Sequence, residues 1–257
     1  MLETVTHVIN NSASNWRAVS RDEIARALES ANRALELKKD DTRIQSEVAY
    51  LKGALALFNW QHAGAPSSGG KPAIENEAGG LATARAEFEN AVRLDESFAA
   101  ARYQLGIVLL ASGDAAGAEA NFVRAVQLEP KWAFAQIALG SAYHAQGRYK
   151  DAIDAYRKAI EHGQNQAAAY AGLGLSRAAK GEKDGVKDIE RAMKIDPNSA
   201  LPHLNLGLAL ALSKNKKDWI RAEEEIKRAM QMNANNAEFQ NSVAERALAD
   251  LQQRKKK

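Results

Sequence analysis

A repeat of about 34 residues is the feature that most constrains how this chain folds. The dipeptide Leu-Gly recurs with its glycines 34, 34 and 33 residues apart, at Gly106, Gly140, Gly174 and Gly207. Alanines that precede an apolar residue recur 34, 34, 33 and 37 residues apart, at Ala91, Ala125, Ala159, Ala192 and Ala229. Two markers with one period indicate stacked structural repeats, each of which buries its apolar face against its neighbour.

The composition of the chain favours helices. Of 257 residues, 46% are hydrophobic, only 6% are aromatic and five are proline. Alanine recurs throughout, and alanine is the best helix former, whereas aromatic and β-branched residues favour strands. We therefore expect an all-α fold with enough apolar side chains for a packed core.

One unit carries the fullest set of recurring positions. Residues 133–166 contain Leu139, Gly140, Tyr143, Gly147, Tyr149, Ala152, Tyr156 and Ala159. This pattern resembles the tetratricopeptide repeat (TPR), in which W-x2-L-G-x2-Y is followed by A-x3-F and P over 34 residues. The resemblance covers about residues 22–251. It implies an all-α, right-handed superhelical solenoid of helix-turn-helix repeats, with Gly147 in the tight turn because glycine adopts positive φ easily.

The repeat register predicts how the chain is divided. We expect a degenerate N-terminal helix within residues 1–20, around Trp16, and an array of about six repeats over residues 21–253. Within the array we expect an insertion loop at residues 63–78 and a C-terminal capping helix at residues 237–253, followed by a solvated basic tail at residues 254–257.

The N-terminal repeats are less regular than the rest. Pairs of alanines seven residues apart mark second helices, which predicts a second helix over Arg21–Leu37. Ala34 and Ala91 are 57 residues apart, which is 23 more than one period. We therefore predict one repeat with a first helix from Thr42 to about His62, an insertion, and a second helix from Leu81 to Leu94.

The insertion contains a sequence that suggests a phosphate-binding loop. Residues 62–72 are HAGAPSSGGKP. A phosphate-binding loop requires G-x-x-x-x-G-K-[ST] after a strand. The first glycine is replaced by Ala65, the final Ser or Thr is replaced by Pro72, and the preceding segment continues a helix. The sequence therefore favours a flexible connection between helices over a nucleotide site.

Several other kinds of site are not indicated. None of the five histidines has a histidine four residues later or a carboxylate at metal-ligand spacing,. Glu223-Glu224-Glu225 is predicted to be a solvated helix face, and His203 a packing residue. The net charge of +3 is too small to indicate nucleic-acid binding,, and no apolar run approaches a membrane span. We therefore expect no catalytic residue, cofactor, metal, nucleic-acid partner or membrane insertion.

The resemblance also implies a partner-binding surface. In TPR proteins the first helices line the concave face, chiefly through their second, fifth, ninth and twelfth positions. Transferring these positions implies partner-binding residues Tyr103, Ile107, Leu110, Phe134, Ile137, Ser141, His144, Leu175, Leu201, Leu204 and Leu208. The set is mostly apolar and lacks the Lys, Asn and Arg with which one TPR subclass grips the C-terminal carboxylate of chaperones. It suits an amphipathic helix or an extended apolar peptide.

These residues leave two structural alternatives and several functions open. Some of them are equally suited to be core residues that pack between adjacent first helices. The occupant of the groove could be another protein, this chain's own insertion, or a second copy in a homo-oligomer. We expect a non-catalytic scaffold; the alternative is a regulatory or targeting module of a larger enzyme or of a secretion, pilus or transport assembly. We expect a cytoplasmic location, or a periplasmic one if a signal peptide has been removed.

Overall fold

A computed structural model describes residues 2–14, 19–62, 74–163, 166–232 and 241–255. Within these ranges the chain consists of α-helices joined by short turns, which confirms the predicted all-α fold. The helices fall into two compact units, Met1–Pro130 (unit 1) and Lys131–Lys257 (unit 2), which are described separately.

The helices follow one another in pairs. Unit 1 contains α1 (Leu2–Ser14), α2 (Arg21–Leu37), α3 (Thr42–His62), α4 (Ile74–Leu94), α5 (Ala99–Ala111) and α6 (Ala115–Leu128). Unit 2 contains α7 (Ala133–Ala145), α8 (Tyr149–Glu161), α9 (Gln166–Lys180), α10 (Gly185–Ile195), α11 (Ala200–Ala211), α12 (Lys216–Met232) and α13 (Asn241–Lys255). Each odd-numbered helix up to α11 is the first helix of a repeat, and the helix that follows packs against it.

In the helix pairs from α3–α4 to α11–α12, a glycine of the first helix lies in close contact with a side chain of the second. The ring of Phe122 on α6 lies so near Gly106 on α5 that a Cβ there would be 2.5 Å from its Cε1 atom. Tyr156 and Gly140 form the same contact between α8 and α7, at 2.9 Å. The recurring glycine is therefore required because any side chain at that position would displace a buried ring.

The turn inside a repeat also depends on glycine. Gly147 has φ of +73°, its N–H donates to the carbonyl of His144, and the N–H of Arg148 donates to the carbonyl of Tyr143, both at 2.9 Å. This pair of bonds satisfies the last carbonyls of α7 and ends the helix. The predicted glycine turn is confirmed.

The N-terminal repeats differ in detail from the prediction. The bounds of α2 and α3 are as predicted, and the first described helix is Leu2–Ser14. The predicted helix around Trp16 falls on residues 15–18, which lie outside the described residues. Helix α4 begins at Ile74, so residues 74–78 are helical, whereas the repeat register predicts them to lie in the insertion loop. The remainder of that predicted loop, residues 63–73, lies outside the described residues.

The pairing of α3 with α4 corrects the size of the insertion. Gly53 on α3 occupies the place of the recurring glycine, since a Cβ there would be 2.9 Å from the ring of Phe88 on α4. Gly53 and Gly106 are 53 residues apart, which is 19 more than the period. The insertion after Gly53 is therefore shorter than the 23 residues predicted, because α3 begins about one turn earlier than the first helices of later repeats.

The C-terminal end also differs from the prediction. Helix α13 begins at Asn241, and the first residues of the predicted capping helix, 237–240, lie outside the described residues. The helix continues to Lys255, so Arg254 and Lys255 are not a solvated tail. Arg254 donates to the carbonyl of Ala211 at 3.1 Å, and Lys255 pairs with Glu223 at 2.5 Å. These contacts attach the basic end of α13 to α11 and α12.

Candidate partner-binding site

Unit 2 contains eight of the implied partner-binding residues. Helix α9 contacts both α7 and α11, so the three first helices lie side by side. The residues on α7 are Phe134, Ile137, Ser141 and His144; the residue on α9 is Leu175; and those on α11 are Leu201, Leu204 and Leu208. On each helix they are separated by three or four residues and therefore lie on one face.

His144 connects two first helices. Its Nδ1 atom lies 2.9 Å from the hydroxyl of Ser176 on α9, a side chain that is completely buried. The ring also packs 5.3 Å from the ring of Tyr149, measured between centroids. Burial lowers the pKa of His144, which favours the neutral imidazole. His144 is thus occupied inside the fold.

Ser141 is likewise used within its own repeat. Its hydroxyl donates to the carbonyl of Ile137 at 3.1 Å and lies 3.0 Å from the hydroxyl of Tyr156. Because a serine hydroxyl has a single proton, Tyr156 donates to Ser141 in this arrangement. Burial raises the pKa of Tyr156 to about 12, with the Ser141 bond acting in the opposite direction. The tyrosine therefore remains a neutral donor.

The apolar residues of α7 and α9 are half-buried. Ile137 packs with Ile160 against a cluster of buried alanines formed by Ala133, Ala159 and Ala169. Leu175 is partly buried against the core that surrounds α11 and α12. Phe134 is also partly exposed. Each of these side chains has one side in the core and leaves another side accessible.

The residues of α11 differ sharply in exposure. Leu201 is 41% exposed, whereas Leu204 is only 4% exposed and belongs to the core with Leu206 and Ile226. Leu208 is half-buried. Leu204 therefore fits the structural alternative, because it offers almost no surface to a partner.

Asn205 on α11 and Leu212, the C-cap residue that follows α11, extend the set implied by the sequence. Leu212 is 55% exposed, and Asn205 is 7% exposed. Together with Leu201 and Leu208 they follow spacings of four, three and four residues, which place them on one helix face. We call these four residues the α11 stripe. Among the described residues, no hydrogen-bond partner is found for the side-chain amide of Asn205.

The α11 stripe could have been found by periodicity. The four positions transferred from the TPR pattern omit the sixth position, which is Asn205, and the C-cap residue after the helix, which is Leu212. A search for residues spaced by three and four along α11 finds both. The exposure of Leu212 and the burial of Leu204 could not be predicted, because α11 is apolar on almost every side.

Unit 1 contains the other three implied residues. Tyr103, Ile107 and Leu110 lie on one face of α5 and are half-buried. The ring of Tyr103 packs against that of Phe122, with centroids 5.9 Å apart. Burial raises the pKa of Tyr103, so its hydroxyl stays protonated.

The acidic run on α12 differs from the prediction of a solvated face. Glu225 Oε2 lies 2.7 Å from Nδ1 of His203, and both side chains are largely buried. Glu223 contacts Lys227 and Lys255, at 2.6 and 2.5 Å, and these contacts lower its pKa. The predicted packing role of His203 is confirmed, because it is 3% exposed in the tryptophan position of the repeat.

Two further kinds of site are absent from the part of the chain that the structure describes. It contains no group of three or more His, Cys, Asp or Glu side chains arranged to hold a metal ion. Among the same residues, no helix has both the length and the hydropathy needed to cross a membrane.

Comparison with known proteins agrees with this architecture. The fold and the glycine–ring contacts define a protein built of helical repeats. Residues 97–165 match the family model of the tetratricopeptide repeat. This segment therefore consists of tetratricopeptide repeats, which agrees with the resemblance found in the sequence. No curated protein sequence matches the chain.

Solved TPR structures share the fold. A tetratricopeptide repeat protein from Parabacteroides merdae ATCC 43184 is 16% identical, covering 97% of this chain and 99% of that chain with a TM-score of 0.54. TTC0263, a TPR protein of Thermus thermophilus, is 19% identical, covering 68% of this chain and 91% of that chain with a TM-score of 0.54. YrrB, a TPR protein with an unusual peptide-binding site, is 20% identical, covering 86% and 98% with a TM-score of 0.49. At such identities the similarities to the first two structures show the fold alone.

Proposed function

We propose that this chain is a non-catalytic scaffold that binds a partner protein through the apolar faces of its first helices in unit 2. One observation carries the proposal. At the implied positions the apolar side chains Phe134, Ile137 and Leu208 remain partly exposed, whereas the polar side chains Ser141 and His144 are hydrogen-bonded inside the fold. The surface left for a partner is therefore mainly apolar.

The polar contacts support binding rather than chemistry. A general base or nucleophile must be free to reach a substrate. His144 instead bonds to a buried serine, and Ser141 bonds to a carbonyl and to Tyr156. Their role is to fix the distances between helices that present the apolar side chains.

The α11 stripe indicates the chemistry of the partner. Leu201 and Leu212 offer exposed apolar contact, and the Asn205 amide lies between them along the helix. A side-chain amide both donates and accepts, as the backbone of an extended peptide requires. We therefore favour an extended segment with apolar side chains, with an amphipathic helix as the other mode that an apolar groove accepts.

A pair of matched variants tests the proposal. Leu201→Lys places a charge on the first-helix face, and Ile220→Lys places the same charge on α12, where Ile220 is 54% exposed. Affinity capture with quantitative mass spectrometry should find a protein that is lost with Leu201→Lys and retained with Ile220→Lys. Circular dichroism should show both variants folded. Equal capture by the two variants would contradict the proposed site.

A second copy of this chain is the other occupant to be distinguished. Sedimentation of the purified protein measures self-association directly. If Leu201→Lys converts a dimer to a monomer and Ile220→Lys does not, the apolar face joins copies of the chain. The proposal expects no such change, with the loss confined to a different protein.

A further inference from the structure

Helix α1 differs from the first helices of the later repeats. In those helices the recurring glycine lies against a side chain of the helix that follows, at Gly53, Gly106, Gly140, Gly174 and Gly207. Helix α1 contains no glycine. It therefore lacks the close contact that is found in the other helix pairs.

The position of α1 is also irregular. In a regular array each repeat contacts only its neighbours. Helix α1 belongs to the first repeat, yet it contacts α5, which belongs to the third, as well as α2 and α3. Its residues Thr6, Ile9 and Asn10 line a cavity of about 330 Å³ together with residues from the starts of α3 and α5. Helix α1 therefore lies across the N-terminal ends of both helices.

The ends that α1 covers include two positions equivalent to a residue of the implied partner-binding set. Glu47 on α3 and Ala100 on α5 each stand six residues before the recurring glycine, as Phe134 does on α7. Both residues line the cavity together with α1. Helix α1 thus meets the same face of the first helices that the proposed function assigns to a partner in unit 2.

This face of α3 is buried along the whole helix. On α7 the four equivalent residues are all half-buried. On α3 all four are buried, and they are Glu47, Tyr50, Ala54 and Leu57. The face that is partly accessible on α7 is therefore covered on α3, and α1 lies at its N-terminal end.

Helix α1 packs through a small apolar face. Val5, Val8 and Ile9 are at most 7% exposed and follow helical spacing, whereas His7 and Asn10 are exposed. This is the pattern with which an amphipathic helix binds in an apolar groove. The cavity beside α1 shows that the packing is incomplete along one side, because close-packed interiors contain few voids larger than a water molecule,.

We propose that α1 is an intramolecular occupant of the first-helix face of unit 1, and that an amphipathic helix of a partner protein binds this face by displacing α1. The partner helix presents aliphatic side chains at the spacing of Val5, Val8 and Ile9, because the face accommodates that pattern. The chain thereby limits access to its own binding face. The proposal is independent of the proposed function, because it concerns α1 and unit 1.

A peptide added to the full chain tests whether the face accepts a separate helix. The probe is a fluorescent peptide with the sequence of residues 1–14, and its binding is measured by fluorescence anisotropy. Val8→Asp buries an unpaired charge and should release α1 from the face,. His7→Asp is the matched control, because it places the same charge on the exposed side of α1.

The peptide should bind the Val8→Asp chain about tenfold or more tightly than the natural chain or the His7→Asp chain, because α1 occupies the face in the latter two. A peptide that itself carries Val8→Asp should bind at least about tenfold more weakly. Absence of binding, equal binding to all three chains, or global unfolding of the Val8→Asp chain would overturn the proposal. Sedimentation of the natural chain as a dimer that Val8→Asp dissociates would also overturn it, because α1 would then be exchanged between copies.

Hydrogen exchange of the natural chain provides a test that needs no variant. The amides of Val8 and Ile9 on α1 should exchange about 100-fold or more faster than those of Val48 and Ala49 on α3, because a displaceable helix opens without unfolding the rest of the unit. Equal protection of the two helices would show that α1 opens only with the core of unit 1, and this result would overturn the proposal.

Discussion

At the scale of single residues, two kinds of contact determine what the chain can do. Glycines such as Gly106 and Gly140 let a buried ring touch the backbone of the neighbouring helix. Polar side chains such as His144 form hydrogen bonds with buried polar groups of a neighbouring helix. Both kinds of contact hold the helices together. The surface that remains for a partner to bind therefore consists mainly of the exposed parts of apolar side chains.

Substitution of the recurring glycine should be costly. In Gly106→Val the new Cβ would lie 2.5 Å from the buried Phe122 ring, and overpacking of this kind costs about 1–3 kcal/mol. Gly79→Val is the matched control, because nothing lies within 4 Å of a Cβ there. Urea unfolding should show a lower midpoint for Gly106→Val and a change within about 0.5 kcal/mol for Gly79→Val. Similar midpoints for the two variants would refute the packing role.

His144 should make stability depend on pH. Burial lowers its pKa below the ordinary value of 6.5. The unfolded chain therefore binds the proton more readily than the folded chain, so the stability contributed by neutral His144 is complete above that value and is lost as pH falls below it. Between pH 7.5 and 5.5 the urea midpoint should fall more for the natural chain than for His144→Gln. Parallel curves would contradict the proposed burial.

At the scale of helices, pattern and register were predictable, but ends and exposure were not. The bounds of α2 follow from the seven-residue spacing of Ala27 and Ala34, which marks the second helix of a repeat. Helix α4 begins before the predicted Leu81 because the markers lie only in its second half. Leu204 and Leu201 belong to one apolar helix, and only the neighbouring helices decide that the first is buried and the second exposed.

An ion pair joins α9 to α10, and it should contribute more to the free energy of unfolding than exposed ion pairs do. Arg177 lies 2.5 Å from Asp188, and both side chains are largely buried. Arg177→Ala would leave Asp188 without its partner, at a cost of about 2–4 kcal/mol. Arg157→Ala breaks an exposed pair with Asp154 at 3.5 Å, which should cost less than about 1 kcal/mol. Urea unfolding should show a lower midpoint for Arg177→Ala than for Arg157→Ala. A lower midpoint for Arg157→Ala would contradict this expectation.

At the scale of the whole molecule, the described part of the chain is an array of helix pairs in two compact units. The period of 34 residues was sufficient to predict this architecture, because each unit must stack to bury its apolar face,. The partner could not be predicted in the same way. An apolar surface specifies the class of its ligand through shape and hydropathy, and many sequences satisfy both conditions.

Site-specific photo-crosslinking tests the central claim most directly. A photoreactive phenylalanine analogue would replace Phe134, Leu201 or Leu208 on the first helices of unit 2. In matched controls it would replace Ile220 or Leu37, which are 54% and 82% exposed. We expect one protein to be crosslinked in cells from the three first-helix positions and not from the two controls. If that protein is crosslinked from Ile220 or Leu37 and not from the three first-helix positions, the proposed binding face is contradicted.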